Sequence, residues 1–153
     1  MLNVSESAVV AGPPGVVFAA AADPEMQLRW DPGTLKRVEK LTAGPLGPGA
    51  RYRGVFAGMG TVEYEFAEYK PGRRFAHRAR IPMGEMRHIF TFEPTSGGTR
   101  VTQEGELRPN VLGWVLQPVM RGMLRKRFRT IAAELNQYLA TAPSGGPTGE
   151  VPR

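Results

Sequence analysis

The chain has 153 residues, of which 41% are hydrophobic and 22% charged. That fits one domain able to bury its own core without metals or disulfides, and excludes a chain that is disordered throughout. Zero cysteines rule out disulfides, thiolate metal sites and a cysteine nucleophile. The net charge of +6 is local: Arg121, Arg125, Lys126, Arg127 and Arg129 supply five of it, leaving +1 elsewhere. A nucleic-acid partner is not expected from so confined a patch. No apolar run reaches the ~18 residues of a spanning helix. Met1 to Val10 carries Glu6 and no basic start, a poor signal peptide, so a cytoplasmic location is expected.

In chain order, Val4 to Val10 has the composition of a strand. Gly12-Pro13-Pro14-Gly15 breaks it and opens an alanine-rich helix, Val16 to Ala22, whose proline fits the first helical turn. Asp23 should cap a second short helix ending near Trp30, stopped by Asp31-Pro32-Gly33. From Leu35 the period changes to two, predicting strands over 35–42, 50–57, 61–69, 73–81, 86–93 and 99–107. The short Gly/Pro turns between them argue for an antiparallel meander.

The strands have two unlike faces. One carries Tyr52, Gly54, Phe56, Val62, Tyr64, Phe66, Phe75, His77, Ala79, Ile81, Met86, His88, Phe90, Phe92, Val101, Gln103, Gly105 and Leu107. The other is charged, and folding the hairpins sets Glu63 opposite Arg80, Glu65 opposite Arg78 and Arg87 opposite Glu106. The paired glutamates Glu63/Glu65 and Glu104/Glu106 therefore read as a solvated ladder. After Asn110 comes a helical pattern to about Ala140, with an apolar stripe of Leu112, Val115 or Leu116, Val119, Met120, Leu124, Phe128, Ile131, Leu135 and Tyr138 or Leu139. Pro118 should kink or split it. This helix should pack across the concave sheet face. Residues 1–141 form the domain, and the Pro/Gly/Ser-rich 142–153 reads as a disordered tail.

The resulting order is strand, two short helices, six strands and one long helix. With it come Gly12-Pro13-Pro14-Gly15-Val16-Val17-Phe18, Leu28-Arg29-Trp30-Asp31-Pro32, the turn Gly44 to Gly49 and Tyr69-Lys70-Pro71-Gly72-Arg73. The hairpin from Phe92-Glu93-Pro94 to Gly98-Thr99-Arg100-Val101-Thr102 completes the set. Over roughly residues 3–140 the chain resembles the START/birch-allergen, or SRPBCC, superfamily, within it the polyketide cyclase/dehydrase-like group. That resemblance implies an α+β helix-grip fold: a seven-stranded antiparallel sheet around a long C-terminal helix, with two short helices after the first strand. It also implies a cavity holding an apolar or aromatic ligand.

The residues add their own support for a cavity. Gly54, Ala79 and Gly105 could leave volume unfilled, and His77, His88, Gln103, Tyr52 and Tyr64 bring polar tips to an apolar face. Candidate ligand contacts are Trp30, Tyr52, Phe56, Tyr64, Phe66, His77, His88, Phe90, Gln103, Met120, Leu124 and Phe128. Trp30 and Trp114 could gate the cavity or simply pack. The expected function is binding of a small hydrophobic partner: a polyketide, an aromatic metabolite or a lipid. Three alternatives stand beside it: a polyketide cyclase/dehydratase with His77, His88 or Tyr64 as acid/base groups, a self-resistance or sequestration protein, and an interaction module without ligand. No cofactor is expected, and no metal, since His77 and His88 lack a third ligand. Arg121, Arg125 and Arg129, four apart on one helix flank, could touch an anionic surface or be a solvated flank.

Overall fold

The structure is a computed structural model that describes residues 1–141; the tail expected at 142–153 lies outside the described residues. Strand β1 (Leu2–Val10) is followed by α1 (Pro14–Ala22) and α2 (Pro24–Trp30). Then come β2 (Leu35–Lys40), β3 (Arg51–Phe56), β4 (Gly60–Lys70), β5 (Arg74–Ile81), β6 (Gly84–Thr95), β7 (Gly98–Pro109) and α3 (Val111–Thr141). The seven strands form one antiparallel sheet in the order β1-β7-β6-β5-β4-β3-β2. The expected α+β architecture is therefore present.

Each short helix has a local cause. Pro14 opens α1 at a position where its missing N–H costs nothing, and the alanines behind it let the helix lie close to its neighbours. Asp23 Oδ1 accepts from the Glu25 amide at 2.9 Å and so caps α2. Trp30 donates its indole N–H to the Ala20 carbonyl at 2.9 Å, fixing α2 against α1. Phe18 of α1 meets Tyr69, Phe75 and Phe92 edge-on at 5.2–5.6 Å, plugging one end of the concave face with aromatic rings.

The ladder confirms Glu65 opposite Arg78 and Arg87 opposite Glu106. Glu63 does not pair with Arg80. The β4–β5 ladder ends at Tyr64 and Ala79, so Glu63 turns to Arg51 and Arg53 of β3 while Arg80 reaches Glu85. Arg87 finds its ion-pair partner in Glu68, beside the register shift that β4 takes between Phe66 and Glu68.

Helix α3 departs from expectation twice. It runs unbroken through Pro118: the missing bond would have gone to the Trp114 carbonyl, and both residues are exposed, so that carbonyl is open to solvent rather than orphaned in the core. It leans on β1 and β7 rather than crossing the whole sheet. Gly113, Met120, Phe128, Ile131, Ala132 and Leu135 are buried, whereas Leu112, Val115, Leu116 and Val119 of the expected stripe are exposed. At 100° per residue Leu112, Val115 and Val119 lie about 80–140° round the helix from Met120, so one packed face cannot include them all.

Gly113 is where α3 touches the β5–β6 turn most closely. A Cβ there would come within 2.2 Å of the Met83 carbonyl oxygen and 2.8 Å of Pro109 Cβ. Gly113→Ala should therefore lose about 1–3 kcal/mol of stability despite the better helix propensity of alanine. Gly122→Ala, with nothing within 4 Å, should gain up to about 1 kcal/mol. Thermal denaturation of the two variants checks the opposite signs.

Candidate functional site

Strand alternation brings the candidate side chains to one face, and the sheet register places them in rungs: Tyr52 beside Tyr64, Phe66 beside His77, His77 beside His88 and Phe90 beside Gln103. The register thus juxtaposes Tyr52, Tyr64, Phe66, His77, His88, Phe90 and Gln103. Met120, Leu124 and Phe128 lie on α3, with Met120 and Phe128 buried and Leu124 partly so. Phe56, the last residue of β3, is half-buried and meets the Tyr64 ring edge-on at 6.1 Å. Trp30 is buried behind α1, its indole N–H already used by Ala20.

Burial varies along this face. Phe66, Phe75, Phe90 and Phe92 are sealed on one side, and Val62, Ile81 and Leu107 on the other. Between them Phe56, His77, Ala79, Met86, His88 and Leu124 keep partial exposure. Yet Gly54 and Gly105 do not leave the empty volume expected of them. A Cβ on Gly54 would strike the Phe56 ring at 2.7 Å, and one on Gly105 the Phe128 ring at 2.9 Å. These large rings occupy the notches that the glycines create. Two open recesses lie elsewhere: one of about 180 Å³ between β1 and α3, and one of about 220 Å³ lined by Arg78, Glu85, Arg87 and Glu106. Of the candidate set only Gln103 and Phe128 border the first.

The polar groups divide into satisfied and unsatisfied. Gln103 is spent on structure: its amide donates to the Phe128 carbonyl at 2.8 Å, and its oxygen faces His88 Nε2 at 3.1 Å. His88 stacks on Phe128 at 4.5 Å, so this trio ties the sheet to α3. By contrast the Tyr64 hydroxyl and His77 Nε2 are buried without a hydrogen-bond partner. Their rings are 4.9 Å apart, with Phe66 and Phe75 also against His77. A buried polar atom left so costs about 1–3 kcal/mol, a debt that a bound polar group can cancel.

Burial sets the electrostatics of these groups. It pushes the imidazoles of His77 and His88 down to about 3, with His77 adding to the effect on His88 and the Gln103 bond opposing it. Burial likewise drives the Tyr64 phenol well above its ordinary value. At neutral pH all three are uncharged.

A cluster that the sequence reading missed joins α2 to α3. The fully buried Asp31 carboxylate takes Arg127 Nη2 at 2.6 Å and Nη1 at 3.3 Å, together with the Gln27 amide at 3.0 Å. Arg127 also donates to Thr34 Oγ1 at 2.9 Å. Burial raises the Asp31 carboxyl, but Arg127 and Gln27 outweigh it and hold the group below its usual range. Glu134 faces Asp31; burial and that neighbouring carboxylate push it up to about 7, and its Oε1 finds no donor. Arg127 belongs by sequence to the basic stretch Arg121–Arg129, but its guanidinium turns inward onto Asp31 and Thr34 rather than to solvent. The available signal was Glu134, the first acid after Glu106, two turns beyond Arg127 on the same face.

Solved structures share this architecture. Protein MLL2253 from Mesorhizobium loti matches with a TM-score of 0.73 at 16% identity, over 93% of this chain and 99% of that one. Ara h 8.0201 matches with a TM-score of 0.70 at 14% identity, over 92% and 99%. DynU16, from the dynemicin biosynthetic locus, matches with a TM-score of 0.69 at 20% identity, over 91% of this chain and 47% of its own. At these identities the likeness is one of helix-grip fold. No curated protein matches the chain. The family model described as polyketide cyclase / dehydrase and lipid transport matches residues 1–140, nearly the whole described chain, and the chain belongs to that family.

Proposed function

We propose that the protein binds a small, mainly apolar ligand bearing one hydrogen-bonding group, held between the concave sheet face and α3. The carrying observation is the pair of unpartnered buried atoms, Tyr64 Oη and His77 Nε2, set among aromatic rings on adjacent strands. A phenol, an enol or a carbonyl on an aromatic, polyketide or lipid body would satisfy one or both. The partly exposed rung of Phe56, Ala79, Met86 and Leu124 is where the apolar body would lie, with Phe56 and Met86 turning aside to admit it. The family description, with both polyketide chemistry and lipid transport in its scope, supports this class of ligand.

Binding is favoured over proton transfer by the state of the polar groups. An imidazole near 3 is a poor base at neutral pH, and a phenol held above its ordinary value is a poor acid. Both still serve well as neutral hydrogen-bonding groups.

The test combines native mass spectrometry of freshly purified protein, followed by denaturing extraction, with titration of 2-naphthol, an aromatic with one hydroxyl. A retained apolar compound or a saturable 2-naphthol-induced rise in Tm is expected. Tyr64→Phe should stabilise the free protein by about 1 kcal/mol and weaken 2-naphthol binding about tenfold. An empty protein that ignores 2-naphthol, or a Tyr64→Phe variant less stable than its parent, would overturn the reading.

A further inference from the structure

The first four turns of α3 expose more apolar side chain than a solvated helix needs. Val111 is 82% exposed, Trp114 65%, Val115 72%, Val119 61% and Met123 62%, with Leu112 close behind at 48%. No charged residue lies between Arg108 and Arg121. A patch of this extent is costly in water and marks a contact surface. At 1.5 Å per residue it runs about 18 Å along the helix.

The cations follow directly after. Arg121, Arg125, Lys126 and Arg129 are exposed over the next two turns, and no acid occurs between Glu106 and Glu134. Arg121 is tethered to the Asn3 carbonyl and Arg129 to Glu6, but Arg125 and Lys126 have no ion-pair or hydrogen-bond partner among the described residues. Apolar side chains with an exposed tryptophan, followed by a basic collar, match the layering of a membrane surface: acyl boundary first, then anionic headgroups. A second copy of the chain fits less well. Antiparallel pairing would lay each basic collar on its partner's uncharged tip, desolvating cations with no counter-charge. Among the described residues no helix is long and apolar enough to cross a membrane, and the lengthwise order of tip and collar suits a helix whose first turns dip into the interface.

We propose that the Val111–Met123 face of α3 docks on anionic lipid bilayers, with Trp114, Val115 and Val119 entering the interface and Arg121, Arg125 and Lys126 meeting the headgroups. The test uses the full chain with phosphatidylcholine vesicles with or without about one-third phosphatidylglycerol. The chain has two tryptophans, and Trp30 is buried and hydrogen-bonded, so a change in emission reports Trp114.

Co-sedimentation with the anionic vesicles, a blue shift of Trp114 and loss of both at high salt are the expected results. Arg125→Gln/Lys126→Gln should weaken this binding roughly thirtyfold, at about 1 kcal/mol per cation. Val115→Asp/Val119→Asp should abolish the blue shift while the unchanged melting of the variant shows that it folds. Three results would each overturn the proposal: no binding to the anionic vesicles, binding without a Trp114 shift, or a dimer in sedimentation equilibrium that both double variants dissolve.

Discussion

Replacing Arg127 by methionine should cost about 3–5 kcal/mol of unfolding free energy at neutral pH, measured by urea denaturation. The guanidinium is the only cation on Asp31 among the described residues, and Asp31 has no exposure at all. Its carboxylate sits at the α2–β2 junction, where its backbone also accepts from Thr34 and Leu35. Without Arg127 the carboxylate keeps only neutral donors, the Gln27 amide and the proton held by Glu134, and no cation among the described residues. Asp31 would then ionise only at the expense of the fold, so the loss should shrink as the pH falls and the carboxyl takes a proton. Arg127→Lys should recover only part, because one ammonium cannot reach both Asp31 oxygens and Thr34. The double variant Asp31→Asn/Arg127→Met should regain most of the stability, since neither partner is then left charged and alone. A loss below about 1 kcal/mol in Arg127→Met would mean that water reaches Asp31 once the guanidinium is gone.

The sheet was legible because each strand writes its two faces in period two, and because Gly/Pro turns separate the runs. The face that carries Tyr64, His77 and His88 could thus be assembled from alternation alone. What alternation cannot say is which neighbour claims a charge. Glu63 has β3 on one side and β5 on the other, and the end of the β4–β5 ladder decides for β3. Nor does it say which polar tips are already used: Gln103 and His88 fasten α3 to the sheet, while Tyr64 and His77 remain open. The helix was harder for a different reason. Its first half is apolar nearly all round, so sequence offered several equivalent stripes, and only the close seat of Gly113 on Met83 fixes which arc faces inward. A basic run hid Arg127, whose role depends on Asp31 a whole domain away in sequence.

Acid should destabilise the protein from pH 6.5 downward, and the buried histidines are the cause. His77 and His88 have folded-state values pushed down to about 3, against an ordinary 6.5. As the pH falls through 6.5 the unfolded chain takes up both protons while the folded one refuses them until about 3. The stability these residues confer is complete above 6.5 and drains away below it, at up to about 1.4 kcal/mol per pH unit for each. Between pH 6.5 and 4.5 that amounts to about 5 kcal/mol, comparable with the whole stability of many domains. Glu134 acts in the opposite direction: its folded-state value, raised from the usual 4.5 to about 7, makes the fold hold a proton that the unfolded chain releases. Its contribution is complete below 4.5 and lost as the pH rises through 7, so over the same acid window it offsets part of what the histidines lose, the more modestly because solvent reaches the Glu134 carboxyl. Stability should therefore peak near pH 6.5–7. Glu134→Gln, which keeps the proton-donating shape without the titration, should be more stable than its parent above pH 7 and should fall off more steeply below 6.5. His77→Gln should flatten the acid limb by about 1.4 kcal/mol per pH unit. Urea midpoints taken from pH 4.5 to 8 read all three slopes, and parallel acid limbs in the parent and His77→Gln would show that His77 protonates freely inside the fold.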